Sequence, residues 1–96
     1  MLFYFFALTE HEYVCLDNGK YEKLQQISAS FQSDNFLPIL GFEYSNLIAG
    51  HYVVLNTNTF KSSWGDLNSD ELYSWLKKPD QKDALVIFAH PGFHFY

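Results

Sequence analysis

Two uninterrupted apolar runs, Leu2–Leu8 (L-F-Y-F-F-A-L) and Ala84–Ala89 (A-L-V-I-F-A), bracket the chain. A short apolar run with no alternation reads as a strand covered on both faces, the habit of sheets flanked by helices. The residues between the two runs must therefore supply the covering helices. After the turn signal Asp17-Asn18-Gly19, the residues Tyr21, Leu24, Ile27 and Phe31 recur at helical spacing, with Lys20, Glu22, Lys23, Gln25 and Gln26 filling the other side. This predicts an amphipathic helix from about Lys20 to Phe31, closed by Ser33-Asp34-Asn35.

Leu37–Tyr44 predicts a second strand, with Pro38 at its start, where a missing donor does least harm. Ser45–Gly50 reads as a loop, His51–Asn56 as a third strand and Thr57–Asn68 as a longer polar loop. Asn68, with Glu71 three residues on, has the pattern of a capping pair. The helix it opens would run to about Lys78, with Leu72, Trp75 and Leu76 inward and Pro79 as its stop. The fourth strand is Ala84–Ala89, broken by His90-Pro91-Gly92. The order β-α-β-β-α-β predicts an α/β domain with a mostly parallel sheet. The link between the second and third strands is too short for a helical crossover, so that pair should turn back on itself. The 96 residues fit one domain, without internal repeat, low-complexity segment or linker.

Aromatic residues make up 20% of the chain, which predicts a core rich in Phe and Tyr and argues against disorder. Trp64 and Trp75 read as packing residues. The formal charge is −5, and no basic stripe exists to grip a phosphate backbone, so nucleic acid is not an expected partner. The lone Cys15 allows no disulfide within the chain; it reads as a packed bystander and leans toward a reducing, cytoplasmic compartment. The first apolar run has no basic residue before it and no small-residue cleavage site after it, unlike a signal peptide. It is also far shorter than the ~20 residues that span a bilayer, so no membrane partner is expected.

The polar residues fall at strand ends. The first strand delivers T-E-H-E (Thr9–Glu12), the second carries Glu43 near its end and the fourth ends at His90. His51 opens the third strand; if that strand folds back on the second, its start lies beside the second strand's end. Sites in α/β sheets sit beyond the carboxyl ends of the strands, so His11, Glu43, His51 and His90 are placed to meet on one rim. Three imidazoles and a carboxylate suit Zn, Mn or Fe as divalent ions. The alternative for each residue is structural: a histidine after a strand serves as a loop residue or a satisfied partner, and Glu43, in F-E-Y, faces solvent or is held by a partner. His94, close to the chain's end, reads as a bystander.

T-E-H-E (Thr9–Glu12), G-F-E-Y-S (Gly41–Ser45), G-H-Y-V-V-L (Gly50–Leu55) and F-A-H-P-G (Phe88–Gly92) occur in that order. Taken together they resemble the PHP superfamily, the polymerase and histidinol phosphatase metal-dependent phosphoesterases. The resemblance covers nearly the whole chain and corresponds to the central part of that family's domain. The family's opening H-x-H strand and closing D-x-H pair have no counterpart in these 96 residues. The resemblance implies a partial arc of a distorted TIM-like barrel, with divalent metal ions at its rim and a small phosphorylated substrate hydrolysed by metal-activated water. It implies that His11, from the T-E-H turn, Glu43, His51 and His90 are metal ligands. Glu43 would bridge two ions and, with His11, carry catalysis, while Glu10 would stand in a supporting position where the family has aspartate. An arc of four strands leaves apolar edges exposed, which makes self-association through them the expected alternative or companion to catalysis.

Overall fold

The computed structural model describes residues 4–12, 19–46 and 50–89. Leu2, Phe3, Cys15, the Asp17-Asn18 half of the first turn, the His90-Pro91-Gly92 break and His94 lie outside the described residues. The described chain is a small mixed α/β domain in the order β1 (Tyr4–His11), α1 (Lys20–Ser30), β2 (Phe36–Asn46), β3 (Gly50–Leu55), α2 (Asp70–Leu76) and β4 (Leu85–Phe88). A single 3₁₀ turn, Pro79–Gln81, follows α2.

The four strands form one sheet in chain order, β1-β2-β3-β4. β1 pairs parallel with β2, whereas β2 with β3 and β3 with β4 are antiparallel. The expected reversal between the second and third strands is therefore present. The expectation of a mostly parallel sheet is corrected: β3 lies between β2 and β4 and runs against both, so only one of the three strand pairs is parallel.

Strand and helix bounds follow local chemistry. β1 does not turn after Leu8; pairing with β2 continues in register through Thr9↔Gly41 and Glu10↔Phe42 to His11↔Glu43, so T-E-H is strand rather than turn. β3 stops at Leu55 because Asn56 is left-handed, at φ 64, a conformation asparagine tolerates better than most residues. Gly19 takes the left-handed position before α1, at φ 69. Gly41 is required for space: a Cβ there would sit 2.0 Å from the Val54 carbonyl oxygen of β3.

Both helices pack on one face of the sheet. The core consists of Tyr21, Phe42, Tyr44, Tyr52, Val54, Leu72 and Trp75. Phe42 is its hub, edge-on to Tyr21 of α1 at 6.4 Å and to Trp75 of α2 at 5.7 Å between ring centroids. On α1 the inward stripe is Tyr21 and Ser28, both buried, with Leu24 and Gln25 half-buried, a regular i, i+3, i+4, i+7 series. The expected stripe ending in Ile27 and Phe31 is thus corrected, because both of these are exposed. Tyr21 fixes the rotation of the helix: its hydroxyl donates to the Thr57 carbonyl at 3.2 Å, and its ring packs on Phe42 and Phe60.

The N-terminus of α2 is closed by a residue outside the expected capping pair. The Asp66 carboxylate accepts the backbone N–H groups of Glu71 at 3.3 Å and Leu72 at 3.2 Å, while Asn68 accepts that of Asp70. The Glu71 side chain turns instead toward Lys61, 3.6 Å away. Asp66 also accepts the Tyr44 hydroxyl at 2.5 Å, which ties the cap to the sheet. Asn46 donates to the Asp66 carbonyl at 2.6 Å. Burial pushes the Asp66 carboxyl up, but the Tyr44 hydroxyl, the two backbone N–H groups and Lys61 outweigh it and hold the group below its usual range. Burial first, then the bond to Asp66, pushes the Tyr44 phenol well up.

The other face of the sheet is the one that matters for function. Register places Phe5, Leu37, Ile39, Val53, Leu55 and Ile87 on it as an apolar floor. Neither described helix covers this floor. The expectation that the first and last strands are covered on both faces is corrected: every residue of β4 and the first half of β1 are exposed.

Candidate functional site

The helix-free face ends in polar residues. His11 is the last residue of β1 and stands opposite Glu43 of β2. Ser45 follows two residues on and stands opposite His51 of β3. With a strand period of two, all four side chains leave the same face at the same end. Three of the four expected site residues, His11, Glu43 and His51, therefore come together. His90 lies outside the described residues; its predecessor Ala89 donates its N–H to the His51 carbonyl at 3.0 Å.

Glu43 divides its carboxylate between the two histidines. Its Oε1 lies 3.0 Å from Nδ1 of His51, and its Oε2 lies 3.5 Å from Nδ1 of His11. The two imidazole rings meet edge to face, with centroids 6.2 Å apart. Glu43 and His51 are mostly buried at the side chain, and His11 is about a third exposed. The group is thus accessible from the His11 side and walled on the His51 side.

Four further residues hold this rim. Nδ1 of His11 is 3.1 Å from the Ser45 hydroxyl, so the ring has two partners on the β2 side. The Glu10 carboxylate accepts the backbone N–H of His11 at 3.0 Å, satisfying a donor of an edge strand. Glu12, only 2% exposed, accepts a hydrogen bond from the Ser63 hydroxyl. That same hydroxyl lies 3.1 Å from the Ser45 carbonyl. Its single proton serves one acceptor at a time, so Ser63 engages either Glu12, just past β1, or the Ser45 carbonyl of β2.

Ser45, Glu12 and Ser63 were not singled out from the sequence. Ser45 carries a legible signal, since it lies two residues beyond Glu43 and shares its face. Glu12 follows the end of β1, and Ser63 reaches the rim through a long loop; periodicity does not mark either. Trp64, expected to pack, is 91% exposed next to Ser63, which corrects that expectation. Trp75 does pack.

The donor chemistry fits a divalent cation. Ligand atoms about 2.1 Å from one ion in a tetrahedral site lie roughly 3.4 Å apart. The two N···O separations at Glu43 are 3.0 Å, the hydrogen bond with His51, and 3.5 Å to His11, so an ion would have to replace the direct His51 contact. Each pair uses a different carboxylate oxygen, which suits one ion at each oxygen rather than three ligands around a single point. No group of three or more His, Cys, Asp or Glu side chains among the described residues is arranged to hold a metal ion.

Two clefts of about 290 and 360 Å³ lie on the helix side, beside α1 and α2, and neither is lined by a residue of this group. No helix among the described residues is long and apolar enough to cross a membrane. Comparison with protein-family models, curated proteins and solved structures finds no match.

Proposed function

We propose that His11, Glu43 and His51 hold divalent metal ions, and that the protein is a metal-dependent phosphoesterase of the PHP type. On this reading its sheet is an arc of that family's TIM-like barrel, and His90 is a further ligand from the end of the last strand. The observation that carries the proposal is the divided carboxylate: Glu43 offers Oε2 toward His11 and Oε1 toward His51. A carboxylate that bridged two ions would present its two oxygens in this divided way, one toward each histidine. Zn, Mn and Fe are the ions the donor set suits, since imidazole and carboxylate together favour them.

Charge supports the substrate class. Glu10, Glu12 and Glu43 all belong to this end of the sheet. Without cations, these carboxylates would repel a phosphate group. Divalent ions held by His11, Glu43 and His51 would reverse that sign and would supply an activated water and a clamp for a phosphoryl group. The chain's own residues would orient the ions: Ser45 and Glu10 by fixing His11, and Ser63 by fixing the strand ends.

The test is metal content by elemental mass spectrometry after size exclusion, followed by hydrolysis of p-nitrophenyl phosphate with Mn²⁺ or Zn²⁺. One or more equivalents of metal, lost in Glu43→Gln together with hydrolysis, is the expected result. A folded chain that takes up no metal at saturating Zn²⁺ or Mn²⁺ overturns the proposal. Metal uptake without hydrolysis would favour the second reading, a non-catalytic metal-binding or interaction module. The bare apolar face of the sheet favours that second reading independently.

A further inference from the structure

We propose that β1 and β4 are the two seams of a dimer in which a pair of chains closes an eight-stranded barrel around the helix-free face. The strand directions carry this inference. β1 runs with β2, β3 runs against β2, and β4 runs against β3. The two edge strands therefore point the same way. A two-fold axis along the sheet's strand direction then places β4 of one copy beside β1 of the other, parallel, and does so twice. Four strands from each copy give eight, the number at which a closed sheet encloses an interior that side chains just fill. The floor formed by Phe5, Leu37, Ile39, Val53, Leu55 and Ile87 becomes that interior.

The edges themselves fit this occupant. Tyr4–Thr9 of β1 and Leu85–Phe88 of β4 contain no charged residue and no proline, two of the devices that keep sheet edges apart. Although each chain carries a net charge of −5, neither seam contributes to it. Phe5 is 69% exposed and Phe88 66%, and Tyr4, Phe6, Leu85 and Ile87 are also exposed. Taking ~150–250 Å² for a whole aromatic side chain, the exposed apolar area of the two edges, both faces counted, is on the order of 700 Å² per copy, roughly half of it from Phe5, Leu85 and Ile87 on the floor face and the rest from the outward side of the seams. A standard stable interface buries about 800 Å² per partner. Closure also sets both His11–Glu43–His51 groups at one end of the barrel, with the end of β4 adjoining the partner's Thr9–His11 segment.

The experiment uses the full 96-residue chain in EDTA, so that it is independent of any metal. Light scattering after size exclusion should give twice the chain mass of 11.2 kDa. Cysteine cross-linking in a Cys15→Ser background then reads the seam. Ile87→Cys combined with one of Phe5→Cys, Ala7→Cys or Thr9→Cys should give a disulfide-linked dimer, and each of the four alone should not. A monomer, whether folded or not, overturns the proposal and assigns the bare face to some other cover, such as further strands or a different protein. Disulfide dimers from a single cysteine in β1 or in β4 overturn it by showing like edges paired. A ladder of open-ended oligomers overturns closure. Failure here leaves the metal reading standing, and failure of metal uptake leaves this one standing.

Discussion

His51 and Glu43 touch at 3.0 Å although they are not cross-strand partners. Glu43 stands opposite Val53, and His51 stands opposite Ser45. Their contact is the diagonal of an antiparallel pair, a span that long side chains can bridge. The carboxylate is thereby offset toward β3 without leaving His11 on the other side. A double-mutant cycle on Glu43→Gln and His51→Ala should show coupling of about 0.5–3 kcal/mol, the range for residues sharing one network. Chemical denaturation of the four proteins checks it, and additive effects within about 0.3 kcal/mol would remove the network.

Acid stability should depend on Asp66. Its carboxyl is held below the usual range in the folded chain, with the Tyr44 hydroxyl and two α2 N–H groups outweighing burial. A depressed folded-state pKa contributes stability that is fully present above the unfolded value, about 4, and is lost as pH falls through the folded one. Asp66→Asn should flatten that acid limb and cost about 1–3 kcal/mol at neutral pH. Thermal melts from pH 7 down to pH 2 measure both; an unchanged acid limb would assign the loss to other carboxylates.

The alkaline limb should depend on Tyr44. Burial and the bond to Asp66 raise its phenol. The sign is opposite to that of Asp66: the contribution is complete below the unfolded value, about 10, and declines as pH rises beyond it. Tyr44→Phe removes the titration and also one donor to Asp66 Oδ2, which keeps only the Leu72 N–H. It should therefore be less stable at pH 7 and lose less between pH 9 and pH 11 than the native chain does. A parallel loss in both proteins would contradict this.

Gly41→Ala should destabilise by about 1–3 kcal/mol or more, the range for overpacking. The new methyl would meet the Val54 carbonyl oxygen, backbone that cannot rotate away. Urea unfolding checks it. Because Gly41 lies two residues before Glu43 on the same face, weakened metal uptake in this variant would show that the close β2–β3 approach at Gly41 aims the carboxylate.

Trp64→Ala should leave stability within about 0.5 kcal/mol, as expected for a surface change. The indole is nearly fully exposed in the native fold. A larger loss by thermal melt would mean that this side chain is covered in solution.

Strand positions were legible because the apolar runs and turn residues are unambiguous. The order β-α-β-β-α-β followed from apolar runs, helical spacing and turn residues, and the fold-back of β3 from the shortness of its link to β2. Which face each strand shows was not legible for β1 and β4, since runs such as L-V-I-F have no alternation to mark an exposed side. The α1 stripe was misjudged because Ile27 and Phe31 match helical spacing as well as Ser28 does, and the hydroxyl of Tyr21 decides the rotation. The meeting of His11, Glu43 and His51 was readable, because residues at strand ends inherit the sheet's geometry. The Asp66 cap was not, because it lies four residues before the first N-terminal position of α2 and acts through Tyr44.

The apolar floor and the polar rim share one face, and neither described helix lies over either. Whatever covers the floor also displaces water from beside Glu43, and a carboxylate in a drier setting holds a cation more strongly. Covering the face and loading the rim are then two ligands of one equilibrium. By linkage, whatever change the cover makes in cation affinity, the cation makes in the cover's affinity by the same factor, so the coupling can be read from either side.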